Sequence, residues 1–280
     1  MTSSRFHQAG LSLIELMISV ALGLLLVAGA MQIFLSNTQA FRLQDNISSA
    51  QESGRLGIEV LLNDLRRAGV DYSRDIATTG LLYAVTGKNN SATTAANPGL
   101  LANSDEVTIT YRVPAEVGSM SDCEGSVIAT GGLIINRYFV QMDTNPAIPA
   151  LFCAGKTGVA TALIRGVESF QVQYGVADIP ANGVDPTEKT SNGFASPNRY
   201  VVGEAASGAK LRVASIRVGL LVRSEAGIQG LNAPANAIAV LDSTDVTQAA
   251  LAGVKVGGFF PVHRYFTGSA ILRNNTYGTF

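Results

Sequence analysis

Residues 10–35 of the chain read GLSLIELMISVALGLLLVAGAMQIFL, a nearly unbroken apolar run that follows a glycine and holds one charged residue, Glu15. Residues 16–35 carry no charge, and about 20 helical residues are enough to cross the hydrocarbon core of a bilayer. The run therefore predicts a membrane-spanning helix. Because an ionised carboxylate near lipid costs roughly 2.5–3.5 kcal/mol on insertion scales, we expect Glu15 to have a function.

The same residues carry a family resemblance. GLSLIE at 10–15, followed by a long apolar helix, resembles the class III leader of type IV prepilins. The resemblance implies that a prepilin peptidase in the membrane cuts after Gly10 and methylates the new N-terminus, Leu11. We expect the ammonium group left on Leu11 to pair with Glu15 of a neighbouring subunit, because buried charges persist only when they are paired. Such a pair would set the register of helices packed in a filament.

Two simpler interpretations of the N-terminus compete with this one. A secretory signal peptide would use Arg5 as its positive region, residues from 16 onward as its apolar region and Ala28-Gly29-Ala30 as a cleavage site. Against it, Glu15 interrupts the entry to the apolar region and the apolar pattern continues to residue 35. A plain membrane anchor with an incidental glutamate is the second alternative. The N-terminal residue of the mature protein distinguishes all three.

Composition and charge restrict the compartment and the class of ligand. A net charge of -1 and 15% charged residues give no electrostatic reason to expect nucleic acid binding. Arg5 favours a leader on the cytoplasmic side of the membrane, with the bulk of the chain outside. Two cysteines, Cys123 and Cys153, lie in that external part, and an even count in an oxidising compartment predicts one disulfide. It would stabilise the fold by roughly 3–4 kcal/mol; two unpaired buried thiols are the alternative.

The helix is predicted to continue beyond the membrane over residues 36–69, which contain no proline. Apolar residues with the spacing i, i+3, i+4, i+7 form one stripe there, namely Ile58, Leu61, Leu62 and Leu65. Gly69 follows two arginines and predicts the C-terminal end. Gly54 and Gly57 are predicted weak points, each costing up to about 1 kcal/mol relative to alanine.

The rest of the chain is predicted to be rich in β-strands. Alternating patterns predict strands at 106–113, 127–130, 133–141, 167–176 and 211–222, shorter strands at 151–153, 162–164 and 200–202, and a strand pair within 260–272. Residues 81–104 are predicted to be a loop, 243–251 to include a short helix, and the slip in phase between Val213 and Ile216 to be a bulge. The expected fold is α+β, with a leader (1–10), a transmembrane half-helix (11–35), an amphipathic half-helix (36–69) and an antiparallel β-rich head (70–280).

This order of segments sharpens the resemblance. The chain resembles the PilW-type minor pilins in DLRRAG at 64–69, SDEVTITY at 104–111, LIRGVESFQVQYGV at 163–176, IRVGLLVRS at 216–224 and ILRN at 271–274. The resemblance implies a non-enzymatic subunit of the priming or tip complex that initiates type IV pilus assembly and can carry an adhesin. It implies as partners other minor pilins, the major pilin, a large tip adhesin and the inner-membrane assembly platform. The head would face the periplasm before assembly and reach the pilus tip afterwards.

Two alternatives to this function stay open. A minor pseudopilin of a type II secretion system shares the leader and the helix. A membrane-anchored binding module that never polymerises belongs to a different class, and it predicts no dependence on Glu15.

Three motifs suggest other chemistry, and for each the sequence favours a structural role. Residues 150–157 nearly match a phosphate-binding loop, but β-like sequence follows them, so a hairpin turn is predicted. Residues 178–185 resemble a calcium loop with Pro180 at a ligand position, and weak calcium binding there is left open. His263 cannot form a histidine-based metal site alone and is expected on the surface of a sheet. No catalytic residue, metal or cofactor is expected.

Overall fold

The structure is a computed structural model that describes residues 12–70, 84–90, 103–144, 147–177, 197–203, 211–241, 251 and 253–279. The chain divides into two compact units, Met1–Asp45 and Asn46–Phe280. The boundary lies within a long helix, α1 (Leu13–Leu65).

The second unit contains eleven strands in its described part. They are β1 (Val85–Lys88), β2 (Glu106–Arg112), β3 (Ser119–Ser121), β4 (Val127–Ala129), β5 (Leu133–Thr144), β6 (Ala147–Ala154), β7 (Thr161–Arg165), β8 (Val167–Ala177), β9 (Arg199–Val202), β10 (Leu211–Arg223) and β11 (His263–Thr279).

Nine of these strands form one sheet in the order β7-β6-β5-β2-β1-β11-β10-β8-β9, and β3 with β4 forms a separate hairpin. Neighbouring strands are antiparallel except β1 and β11, which run parallel. The predicted fold class is confirmed: the described residues contain one long apolar N-terminal helix and an antiparallel β-rich head.

The amphipathic stripe of α1 forms as its spacing predicts. Leu61 and Leu65 are fully buried in the main core, and Ile58 and Leu62 pack against that core. The helix ends at Leu65, four residues before Gly69, which has the left-handed φ of 76° that a C-terminal stop requires. The N–H group of Gly69 then donates to the carbonyl oxygen of Thr110 in β2, 3.0 Å away.

Strand β10 separates two cores because its side chains alternate between the two faces of the sheet. Ile216, Val218 and Leu220 belong to the main core, with α1. Leu221 instead packs with Val240 and Leu251, which come from the connection between β10 and β11. Both faces of this part of the sheet are therefore covered.

The structure corrects three strand predictions and confirms one detail. Strand β1 lies within the predicted loop 81–104, because pairing with β2 and β11 holds in a sheet a segment (VTGK) whose own sequence does not indicate a strand. Hairpin strand β3 was not predicted. The predicted strand pair at 260–272 is instead one strand of 17 residues, β11, which pairs along the whole of β10. The predicted bulge lies between Val213 and Ser215. The predicted helix near 243–251 lies, except for residue 251, outside the described residues.

Candidate assembly site and the anchoring of the helix

The N-terminal end of α1 is capped by Ser12. Its Oγ accepts a hydrogen bond from the N–H group of Glu15, 3.2 Å away, which is the bond that an N-cap residue makes to the third helical position. Glu15 thus lies in the first helical turn, where the positive end of the helix dipole favours a carboxylate. The sequence analysis did not identify Ser12, although the S-x-x-E spacing is a known capping signature.

The apolar side chains that follow Glu15 are exposed in the part of the chain that the structure describes. The large apolar residues between Leu13 and Leu35 are 51–78% exposed. By length and composition α1 is the one helix, among the described residues, that could cross a membrane, and its apolar window is 0% buried. Gly10 and Leu11, the predicted processing residues, lie outside the described residues.

At its other end α1 is fastened to the sheet by a buried carboxylate, Asp64. Its Oδ1 accepts a hydrogen bond from the hydroxyl of Tyr111 in β2 (2.8 Å). Its Oδ2 accepts bonds from the hydroxyl of Tyr138 (2.9 Å) and from Nδ2 of Asn136 (2.7 Å), both in β5. Three donors on two strands therefore converge on one carboxylate, and we call these four residues the Asp64 cluster.

Burial and charge hold both tyrosines of the Asp64 cluster in their protonated form. Desolvation is the main cause that raises the pKa of Tyr111 and of Tyr138 above the ordinary value, and the negative charge of Asp64 adds to it. A nearby guanidinium, Arg67, opposes the shift at both tyrosines. The hydroxyls consequently remain hydrogen-bond donors, which is what an ionised carboxylate requires of its partners. The sequence alone does not predict this cluster, because the three donors lie 47 to 74 residues from Asp64 in the chain.

Small residues let the same helix approach the sheet closely. Ala50, Gly54 and Gly57 are buried on α1. A Cβ atom on Gly54 would lie 2.1 Å from a ring carbon of Phe266 in β11, and one on Gly57 would lie 2.9 Å from Cδ1 of Leu220 in β10. The interpretation of the two glycines as mere weak points is therefore incomplete, because at both positions a side chain would collide with the sheet.

The Asp64 cluster continues into the disulfide-bonded hairpin. Asn136 donates to Asp64, and its Oδ1 accepts a bond from the N–H group of Cys123, 3.1 Å away. In the structure Cys123 and Cys153 are joined as a disulfide, with their Cα atoms 6.2 Å apart. The pairing expected from the cysteine count is thus the one that the fold contains.

Residues 155–158 form the turn between β6 and β7, as the hairpin prediction stated. A strand rather than a helix follows, so the turn lacks the helix N-terminus of a phosphate-binding loop. Its N–H groups bind the carboxylates of Asp122 and Glu124 instead. These bonds, led by the one from the hydroxyl of Thr157, hold the pKa of Glu124 below its ordinary value.

The expectation that His263 lies on the sheet surface is wrong. Its side chain is 3% exposed, and its Nε2 lies 2.9 Å from Oε2 of Glu168. The other oxygen of Glu168 lies 3.4 Å from Nε of Arg223, and burial lowers the pKa of that guanidinium. Arg223 and His263 are the last pair of the β10–β11 ladder, so Glu168 holds together the two ends of the connection 224–262.

No group of three or more histidine, cysteine, aspartate or glutamate residues that could hold a metal ion is found among the described residues. The predicted calcium loop at 178–185 lies outside them. The carboxylates of Asp64, Asp122, Glu124 and Glu168 each bind groups of the chain itself, which indicates that their role is structural.

Two family models match parts of this chain. Residues 137–269 match the family model described as Type IV Pilus-assembly protein W, and residues 5–31 match the prokaryotic N-terminal methylation motif. The solved structure of a type IV-like pilin from Thermus thermophilus aligns with 84% of this chain and 99% of its own, at 14% sequence identity and a TM-score of 0.39. No curated protein matches the chain.

Proposed function

We propose that the chain is a PilW-like type IV minor pilin with a class III prepilin leader, because residues 137–269 and 5–31 match those two family models. In this role it is a structural, non-enzymatic subunit of the priming or tip complex that initiates pilus assembly. In this proposal the prepilin peptidase cuts after Gly10 and methylates Leu11. Residues 11–35 then hold the subunit in the inner membrane with its head in the periplasm, until assembly moves it to the pilus. Its partners are other minor pilins, the major pilin, the assembly platform and a tip adhesin.

The observation that carries the proposal is Glu15 in the first turn of a helix whose apolar surface is exposed. Burying such a surface against lipid or against other helices is strongly favourable. A carboxylate at its start stays ionised in that setting only if a cation meets it. The new ammonium group on Leu11 of a neighbouring subunit is a cation that processing would create at the matching depth.

The head contributes a rigid attachment for the helix. The Asp64 cluster and the close contacts at Gly54 and Gly57 fix the second half of α1 on the sheet. Residues 36–69 thus serve as the amphipathic half that docks the head, while the first half is left for contacts with other subunits.

Replacing the carboxylate tests the proposal. Glu15→Ala should leave cleavage and membrane insertion intact but reduce the amount of the protein that is recovered with sheared pili by tenfold or more. Glu59→Ala, an exposed carboxylate on the same helix, is the matched control and should be recovered at the wild-type level. Equal recovery of Glu15→Ala and wild type would contradict the proposal.

A deletion strain separates the pilus from a secretion system. The proposal expects surface pili to be lost while secretion of folded proteins continues. Loss of secretion with normal pili would instead assign the chain to a type II secretion pseudopilin.

A further inference from the structure

The hairpin β3–β4 lies outside the nine-stranded sheet, and a two-stranded hairpin is at best marginally stable alone. Its strands are anchored near the core by Ile128 and Met120. Its tip carries Asp122, Cys123 and Glu124 in succession, directly opposite the turn 155–158. The tip is therefore the part of the hairpin whose position depends on contacts with that turn.

Glu124 binds the turn through both carboxylate oxygens. Its Oε1 accepts the N–H group of Gly155 at 2.6 Å, and its Oε2 accepts the N–H group of Thr157 at 3.0 Å and the hydroxyl of Thr157 at 2.5 Å. Bonds of this kind, from an N–H or O–H donor to an ionised carboxylate, are about twice as strong as bonds between neutral groups.

Asp122 binds the same turn from the other side of the cysteine. Its Oδ2 accepts the N–H group of Lys156 at 2.9 Å, while its Oδ1 accepts the N–H groups of Glu124 and Ser126 at 3.0 and 2.8 Å. A Cβ atom on Gly155 would lie 2.7 Å from Oδ2 of Asp122, so glycine is required there for the approach. All four oxygens of the two carboxylates accept hydrogen bonds from the protein. The pair therefore joins the tip to the turn and does not form a cation site.

None of these bonds uses a sulfur atom. The donors that join the tip to residues 155–157 belong to a turn whose position is fixed by the β6–β7 pairing. The carboxylates flank Cys123 on both sides, and Cys153 lies two residues before Gly155. Docking the two carboxylates on the turn therefore brings the two thiols together without any covalent bond.

We propose that Asp122 and Glu124 form a carboxylate clasp that docks the hairpin tip on the turn 155–158 before oxidation, and thereby sets the effective concentration of the Cys123 and Cys153 thiols for each other. The reaction that it promotes is thiol–disulfide exchange. Two protein thiols lose two electrons and two protons to a small disulfide such as oxidised glutathione, which leaves as two reduced thiols.

The effective concentration is measured by equilibrating the full-length protein, in detergent micelles, with mixtures of reduced and oxidised glutathione. Alkylation of free thiols followed by mass spectrometry gives the oxidised fraction. Asp122→Asn/Glu124→Gln should lower the effective concentration by tenfold or more, since each lost bond to an ionised carboxylate is worth about one factor of ten. Glu116→Gln is the control. It removes an exposed carboxylate from the connection between β2 and β3, and it should leave the effective concentration unchanged.

A second measurement tests the order of events and does not require the double variant to fold with its disulfide. In Cys123→Ser/Cys153→Ser, hydrogen exchange at the amides of residues 155–157 should stay slow, and adding Glu124→Gln should speed it by about tenfold. Rapid exchange in the cysteine-free protein would overturn the proposal, because it would mean that the disulfide forms first. A wild-type effective concentration in the double carboxylate variant would overturn it equally.

Discussion

Replacing Asp64 is the sharpest test of how the helix is attached to the sheet. In Asp64→Leu, a side chain of similar size occupies the site without an acceptor, so the hydroxyls of Tyr111 and Tyr138 and the amide of Asn136 lose their partner. A buried donor left unsatisfied costs about 1–3 kcal/mol. Three such donors cost about 3–9 kcal/mol, and burying leucine returns about 1.5–3 kcal/mol of it. The net loss in the free energy of unfolding of the head is therefore about 1.5–6 kcal/mol.

Asp64→Asn should cost less, about 1–2 kcal/mol. The amide oxygen can replace Oδ2, and the hydroxyl of Tyr111 can rotate to accept from the new amide, so the main loss is the strength that the charge added. For a head of this size 1 kcal/mol corresponds to roughly 2–4 °C in Tm. The leucine variant should therefore melt about 3–24 °C below wild type and the asparagine variant about 2–8 °C below it.

The assay is thermal unfolding of the full chain in detergent, followed by tyrosine circular dichroism, which is free of tryptophan signal because the chain contains none. Glu59→Gln, an exposed carboxylate on the same helix, should stay within about 0.5 kcal/mol of wild type. Adding Tyr111→Phe and Tyr138→Phe to Asp64→Leu should restore part of the loss, because two unsatisfied hydroxyls disappear. An Asp64→Leu protein as stable as the Glu59→Gln control would refute the reasoning.

Two further predictions follow from the same region. Gly54→Ala should destabilise the head by about 1–3 kcal/mol despite alanine's better helix propensity, because its Cβ would lie 2.1 Å from the ring of Phe266; Gly23→Ala, with no atom within 4 Å, is the control, and equal stability of the two variants would count against close packing. The raised pKa of Tyr111 and Tyr138 should make the head lose stability above about pH 10, because the folded state keeps protons that the unfolded state releases. The stability that the two tyrosines contribute is complete below the ordinary tyrosine pKa, and it is lost as the pH rises towards the pKa of the folded state. Urea unfolding from about pH 8 to about pH 11 measures this, and a flat profile would show that burial and the charge of Asp64 do not raise the pKa of the two tyrosines.

Local patterns predicted the helix and the principal strands because their periodicity reports which face is buried. In this way the stripe from Ile58 to Leu65 predicted the buried face of the helix, and the slip in phase after Val213 predicted the bulge in β10. Strand β1 was not, since only pairing with its neighbours distinguishes Gly87-Lys88 from a turn. The length of β11 was missed for a similar reason: its polar C-terminal part is a strand because β10 pairs with it.

The polar contacts of the head could not be predicted from local sequence. Asp64 joins residues 47 to 74 positions away, and Glu168 joins His263 over 95 positions. A single sequence gives no distance between such residues. The placement of Glu15, by contrast, depends on its immediate neighbours, and the cap at Ser12 could have been predicted from the same six residues.

The most direct test of the central claim is mass spectrometry of the N-terminal peptide of this protein, taken from purified pili. The account predicts a chain that begins at Leu11 with one added methyl group and that is present in the fibre fraction. A chain that still carries residues 1–10, one that begins at Met31 after signal-peptide cleavage, or the absence of the protein from the fibres and from their initiating complex would contradict it.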